Sequence, residues 1–439
     1  TETSGAHLSL EDTQALLIWE EAVQLAGDIN YELIIKKDRE QLDKIDFAIQ
    51  LDKTVGGQSP GLRSGELNAF IAAGPEDSHV SLNLEEAIDI LRHGLRPILR
   101  HQPFLQNTDS YMDLAQAIDE RKLDTRRILL CTDDLPADFL YEKGHLDEVL
   151  RRAIAGGIRP LTAYQMATIN VAEHLRLDRD LGSVSPGKLA DLILLDDLNQ
   201  VKVSQVIADG KLVADQGRLL SPLPAFSYPD WSKDTIHLKT DTCVKDLSIK
   251  SNTTKGTVLV RTLLPGVPSK LAIEELAVLD GSVMPDQGKD VLAMAVLDRH
   301  SGSGRIGKAF IKGTGIKGGA IAGSYSHDAH NVFAIASNYS DMALAIETLR
   351  QSAGGYVAVK NGHVLEAIKL PIAGIMTDEP LKDLAKELTR FQEKLEEELQ
   401  CVYPLFLFTV LTLPNIPEWA VTDWGLIEVE TLKKVNTIV

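Results

Sequence analysis

A carboxylate pair closing a buried strand, and two imidazoles gathered in one short turn, are the side chains of this sequence best suited to chemistry. Arg127-Ile-Leu-Leu-Cys-Thr-Asp133-Asp134 sets four apolar residues between a basic residue and two carboxylates. Such a run predicts a strand buried on both faces, as in a parallel sheet covered by helices. The two Asp then fall at the carboxyl end of the strand, where α/β folds assemble their sites. A carboxylate there can bind a cation or take a proton from metal-bound water. The plainer reading is that Asp134 opens a loop and Asp133 caps a helix.

His327-Asp328-Ala329-His330-Asn331 is the densest polar cluster. Two imidazoles and a carboxylate beside glycine-rich backbone suit a metal or a heteroaromatic ligand. They equally suit a turn whose Asp and Asn cap local backbone groups. Arg299-His300-Ser-Gly302-Ser-Gly304 and Gly307-Lys308 have the look of an anion-cradling loop. Walker and Rossmann spacings are both missing, so phosphate binding is not expected. His79, just past a predicted strand start, is a candidate ligand, although a lone His is more often an ordinary hydrogen-bonded residue. His145 follows Gly144 at a helix start and reads as structural. No Ser/His/Asp elbow is present, and none of the 11 histidines forms a His-x-His pair.

The elements that must position these groups belong to a protein of 439 residues, enough for two to four domains with cores of their own. Its net charge of -18 argues against nucleic-acid binding, which rests on releasing counterions from phosphates. Cys131, Cys243 and Cys401 are far apart, form no metal or disulfide pattern, and fit a reducing cytoplasm. No apolar run approaches the roughly 20 residues that span a bilayer, and no signal peptide is evident. The first residue is Thr1, so a fragment, a processed form or only the ordered part of a longer protein is expected.

Along the chain, a helix is predicted from Ser9 to Leu25, a strand over Ile29–Ile35, a helix over Arg39–Leu51 and a short strand at Thr54-Val55. Helices Gly65–Ala73 and Leu84–His93, strand Pro97–Arg100 and helix Tyr111–Lys122 precede the Asp133 strand. Helices His145–Ala155 and Leu161–His174 follow it. Strands alternating with helices indicate right-handed β-α units and a parallel sheet. Four or five units are visible, so a (β/α)₈ barrel would lack its first part. Residues 1–178 are assigned to that partial barrel. Residues 179–221 read as a small antiparallel β unit with strands Val201–Ala208 and Lys211–Ala214 joined at Asp209-Gly210. Residues 222–246 read as a linker. Residues 247–439 read as an α+β domain with strands Thr257–Leu263, Asp290–Leu297, Val332–Ala336, Tyr356–Lys360 and His363–Ala367, helices Ser340–Gln351 and Leu381–Gln400, and a buried segment Leu405–Leu411.

Several stretches together resemble the bacterial adenine deaminases of the amidohydrolase superfamily. Pro60–Gly74 resembles the segment around that family's barrel histidines. Gln165–His174 with Leu181–Asp197 resembles its barrel-to-sandwich junction, a motif many amidohydrolases share. Arg299–Asn331, Leu370–Pro380 and Leu413–Pro417 resemble its more specific C-terminal domain. The resemblance implies a partial TIM-like amidohydrolase barrel, a small β-sandwich portion and a C-terminal α+β domain. It also implies hydrolysis of adenine to hypoxanthine and ammonia in purine salvage, at a divalent metal (manganese, iron or zinc), in a cytoplasmic homo-oligomer, with a dimer expected. Metal-bound hydroxide would attack C6 while a carboxylate moves the proton.

Carried over residue by residue, Asp133 resembles the strand-end carboxylate that ligates metal and handles that proton, and His79 the histidine of the family's Ser-Asp-His segment. His327, Asp328, His330 and Asn331 match the motif bordering the substrate. Gln58 stands where the family's Gly-His-Ala-Pro-Gly-Leu has its histidine, and Pro136 where a loop histidine is expected. Asp28 and Glu32 are candidates for a further strand carboxylate. These departures raise a second reading, a non-catalytic relative that keeps the pocket as a purine-binding or assembly subunit. Another amidohydrolase activity, such as cyclic-amide hydrolysis, fits the C-terminal motifs less well.

Overall fold

Parallel pairing of short strands organises the first part of the chain. In the computed structural model, which describes residues 1–26, 29–81, 83–100, 110–239, 244–415 and 418–439, Gln24–Leu25 (β1) pairs with Thr54–Val55 (β2). Asp77–Ser78 (β3), Arg96–Arg100 (β4) and Leu129–Cys131 (β5) form a second parallel set, with Asp77 opposite Arg96 and Arg100 opposite Cys131. Helices Arg39–Gln50, Ser64–Ala72, Leu84–Arg92, Ser110–Arg121 and Leu146–Ala155 intervene or follow. The apolar stripe of Leu84–Arg92 shows why they pack: Ala87, Ile88 and Ile90 are buried, and Asn83 caps the first turn by accepting from the Glu86 amide. An antiparallel sheet follows: Leu192–Asp197 (β6), Lys202–Ala208 (β7), Lys211–Asp215 (β8) and Arg218–Leu219 (β9). Asp209 and Gly210, both at positive φ, make the β7–β8 turn. Leu8–Leu135 and Glu142–Ala225 form this N-terminal unit.

Thr1–His7, Pro136–Tyr141 and Phe226–Val439 form the C-terminal unit. Among its described residues ten strands join in one mixed sheet, built from Ile249–Lys250 (β10), Lys255–Leu264 (β11), Lys270–Leu279 (β12), Ser282–Val283 (β13), Val291–Leu297 (β14), Ile306–Lys312 (β15), Gly319–Gly323 (β16), Val332–Ala336 (β17), Gly355–Lys360 (β18) and His363–Lys369 (β19). The spatial order is β10-β13-β12-β11-β15-β14-β17-β16-β18-β19, and only the β11–β15 pair is parallel. Strand alternation divides the centre between two cores. Val291, Ala293, Ala295 and Leu297 face one core, shared with Met342, Ala345 and Leu349 of helix Tyr339–Gln351. Leu292, Met294 and Val296 face the other, with Phe391 and Leu395 of helix Leu381–Glu397 and Phe408 of helix Leu405–Val410. A small antiparallel sheet, Trp419–Thr422 (β20), Gly425–Glu428 (β21) and Lys433–Val435 (β22), completes this unit.

Four readings of local structure need correction. Ile29–Ile35 is not a strand: Asn30 caps helix Tyr31–Ile35 by accepting from the Leu33 amide, and this local bond outweighs the β-branched residues. The helix from Ser9 ends at Leu17, leaving Gln24 and Leu25 to pair as a strand. Leu161–His174 is broken at Thr168 into Pro160–Ala167 and Ile169–His174, where the Asn170 amide donates to the carbonyls of Thr125 and Ile128. The glycine-rich run from Gly302 to Gly323, read without strands, contains β15 and β16. Asp28, Cys243 and the last two residues of Leu413–Pro417 lie outside the described residues.

Gly307 lets β15 approach the β20–β21 turn, because a Cβ there would lie 1.8 Å from the Thr422 carbonyl oxygen and 2.6 Å from the Gly425 nitrogen. Gly313 has positive φ but open space around it. Gly307→Ala is therefore expected to cost the C-terminal unit about 3 kcal/mol, and Gly313→Ala only about 1 kcal/mol of backbone strain. Urea titrations of the two variants compare these losses, and equal losses would contradict the close approach.

Candidate functional site

In the N-terminal unit the side chains of interest stand past the carboxyl ends of β3, β4 and β5. Asp133 lies two residues beyond β5 with φ +58, a left-handed conformation that Asp tolerates better than most residues. Its Oδ2 accepts from Arg100 Nη1 at 2.5 Å, and its Oδ1 accepts from the Asp134 amide at 2.8 Å. Arg100 ends β4 and Cys131 is its register partner, so adjacent parallel strands aim the guanidinium and the carboxylate at each other. Cys131 is held as the thiol, its pKa pushed up to about 12 by burial and next by the Asp133 charge. The Thr132 hydroxyl lies 3.3 Å from His145 Nε2. Asp133 caps no helix; its carboxylate serves Arg100 and its own loop.

His79 directly follows β3, half-buried, with its amide 3.4 Å from the Gly57 carbonyl. Beneath it lies a polar network that the sequence reading did not single out. Asp77 and His174 are each 2% exposed and meet at 2.6 Å from Oδ2 to Nε2. Gln24 Nε2 donates to the same Oδ2 at 2.7 Å, and the Gly57 amide donates to Oδ1 at 3.1 Å. The amide and hydroxyl of Ser59 both reach Ser78 Oγ. The Glu86 carboxylate, fully buried, accepts from the Gly61 amide at 2.6 Å. One signal for Glu86 was present: it precedes Ile90 by four residues on the apolar face of its helix. Asp77 and His174 are 97 positions apart, and nothing local in the sequence joins them.

The donor set does not fit a divalent cation. Among the described residues no three His, Cys, Asp or Glu side chains come together to hold a metal. Position 58 offers a glutamine amide in place of an imidazole, and both oxygens of Asp133 are already engaged. Among the described residues, then, neither His79 nor Asp133 belongs to a set of three such side chains.

The histidine cluster of the C-terminal unit does assemble. Tyr325, His327 and His330 stand ring against ring, with centroids 5.3 Å apart for Tyr325–His327, 5.1 Å for Tyr325–His330 and 5.7 Å for His327–His330, and Phe406 lies 6.1 Å from His327. His330, at φ +52, takes the Ser326 amide on Nδ1 at 3.3 Å, which places the proton of the neutral ring on Nε2. Burial, then the neighbouring His327, pulls the His330 pKa down to about 4. Asp328 is half-exposed and accepts from Asn415 Nδ2 at 3.2 Å. The Asn331 amide is used internally, accepting from the Arg299 amide and donating to the Thr3 carbonyl.

Arg299 lies beneath, buried, its guanidinium on the carbonyls of His330 and Thr235 and its pKa lowered to about 10 by that burial. The loop with the look of an anion cradle is filled by the chain itself. The amides of His300 and Ser301 and the hydroxyls of Ser301 and Ser303 all donate to Asp298. Burial raises the Asp298 pKa, but these bonds outweigh it and bring it down to about 2.

His330 makes acid stability testable. Between its ordinary value of 6.5 and about 4 the unfolded chain holds a proton that the folded chain does not, so stability is present above pH 6.5 and is lost as pH falls through about 4. The expected loss is on the order of 3 kcal/mol. Urea midpoints of the C-terminal unit across this range should show that slope, and His330→Phe should make it shallower. An unchanged slope would count against a neutral buried ring.

Comparisons with known proteins agree with this arrangement of two units. The amidohydrolase family profile matches residues 79–213, and the adenine deaminase C-terminal domain profile matches residues 267–433. A Mesorhizobium japonicum protein named adenine deaminase is 36% identical over 448 aligned residues, covering 100% of this chain and 73% of its own length. A Clostridium botulinum adenine deaminase is 36% identical over 443, with the same coverage. Among solved structures, an enamidase of the amidohydrolase superfamily aligns at 16% identity and a TM-score of 0.35, over 49% of this chain and 70% of that one. With more than a third of its residues shared along its whole length, the chain belongs to the adenine deaminase family.

Proposed function

We propose that this chain binds adenine and serves its hydrolytic deamination, in which water adds oxygen at C6, the C6–N6 bond breaks and ammonia leaves with hypoxanthine. The observation that carries the reading is the 36% identity to proteins named adenine deaminase across 100% of the chain. The parallel strands β1 to β5 are read as the later part of an amidohydrolase (β/α) barrel over residues 1–178. Residues 179–221 are read as a portion of the small sandwich, 222–246 as a linker and 247–439 as the C-terminal domain. The protein is placed in purine salvage, in the cytoplasm, as a homo-oligomer. The described residues offer no fitting set for manganese, iron or zinc.

The groups that remain have definite capacities. Tyr325, His327 and His330 present aromatic faces to a planar heterocycle. His330, neutral above pH 4, donates through Nε2 to a ring nitrogen. Asp328 can accept from an exocyclic amine. Asn331 positions the loop that carries them. Asp133 is the carboxylate available to move a proton once its ion pair opens, with His79 beside it in the same reading.

A second reading, a purine-binding or assembly subunit without turnover, is favoured by one specific observation: the Asp133 carboxylate is held by Arg100. Calorimetry and ammonia release separate the two. Full-length protein is expected to bind adenine and release ammonia, with Asp133→Asn slowing release at least about 100-fold. Binding without ammonia leaves the second reading standing, and no binding overturns both.

A further inference from the structure

We infer that Arg100 is the standing cation of Asp133, its guanidinium occupying the place on that carboxylate that a divalent metal would require. Three observations carry this. The contact is fixed by the fold: Arg100 is the last residue of β4, and the β4–β5 register sets its side chain beside the segment that ends at Asp133. Each carboxylate oxygen already carries a donor, since Oδ2 takes Nη1 at 2.5 Å and Oδ1 takes the Asp134 amide at 2.8 Å. Both side chains are mostly covered, 19% and 20% exposed, so water screens the pair poorly.

The neighbours point the same way. Among the described residues Arg100 Nε is buried without a hydrogen-bond partner, and the carboxylate is the acceptor its Nη1 meets. Gln58 offers an amide and no imidazole. A dication on Asp133 would stand against that guanidinium's positive charge, with too few donors among the described residues to hold it.

The inference uses the family reading only to choose which metals to probe. Full-length protein is expressed with Mn²⁺ or Zn²⁺, dialysed and assayed for metal, as wild type, Arg100→Met, Arg100→Lys, Asp133→Asn and the Arg100→Met/Asp133→Asn double variant. The wild type is expected to keep less than about a tenth of an equivalent, unchanged by Asp133→Asn. The Arg100→Met and Asp133→Asn losses in melting temperature should be non-additive, as for partners in one interaction, while Arg100→Lys retains most of the wild-type value. About one metal per wild-type chain, cut at least tenfold by Asp133→Asn, would overturn the inference, and so would additive melting losses. Failure of the purine reading shows separately, as absent adenine binding whatever the metal content.

Discussion

A carboxylate set at the end of a buried strand must be neutralised by something, and in this chain an arginine on the adjacent strand does it. Unit charges about 4 Å apart interact by roughly 4 kcal/mol in the effective dielectric of a protein surface. The Asp133–Arg100 pair is closer than that and largely covered. Parallel register fixes the geometry, since Arg100 faces Cys131 and the loop turns back at Asp133 through a left-handed residue. A dication entering beside Asp133 would meet a repulsion about twice the unit-charge figure from the guanidinium. The chemistry available to this unit therefore depends on whether that single pair stays closed.

The rest of the N-terminal unit shows the same preference for internal partners. Asp77, His174 and Gln24 satisfy one another below the strand ends, Ser59 meets Ser78, and Glu86 holds the Gly61 amide. Breaking a buried pair such as Asp77–His174 is costly because the remaining group is stranded away from water. These networks fix the backbone at Gly56 and Gly57.

What was legible followed from periodicity and punctuation. The Asp133 strand, the helix after Asn338, strand Val332–Ala336 and the Asp209-Gly210 hairpin all announce themselves through apolar runs, caps and turn residues. The strand expected at Ile29–Ile35 failed because a local Asn30 cap competes with β-branched residues, and both signals are short. β15 and β16 were hidden because glycines that permit close packing, such as Gly307 against Thr422, are the residues that usually mark loops. At the site, the candidates themselves were visible by type. Their partners were not, because the Arg100–Asp133 and Asp77–His174 pairs are set by tertiary register across 33 and 97 positions.

The histidine cluster shows how much a motif can mean without its context. Read as a string, His327-Asp328-x-His330-Asn331 suits a metal as well as a heterocycle. Folded, His330 takes a backbone proton on Nδ1, Asn331 is consumed by Arg299 and Thr3, and the buried Arg299 lies beneath. A dication would sit badly above that guanidinium, whereas a neutral planar ring can stack on Tyr325 and His327 and accept from His330. The two units thus share one electrostatic feature: an arginine stands beside a candidate ligand in each, Arg100 at Asp133 and Arg299 at the His330 carbonyl.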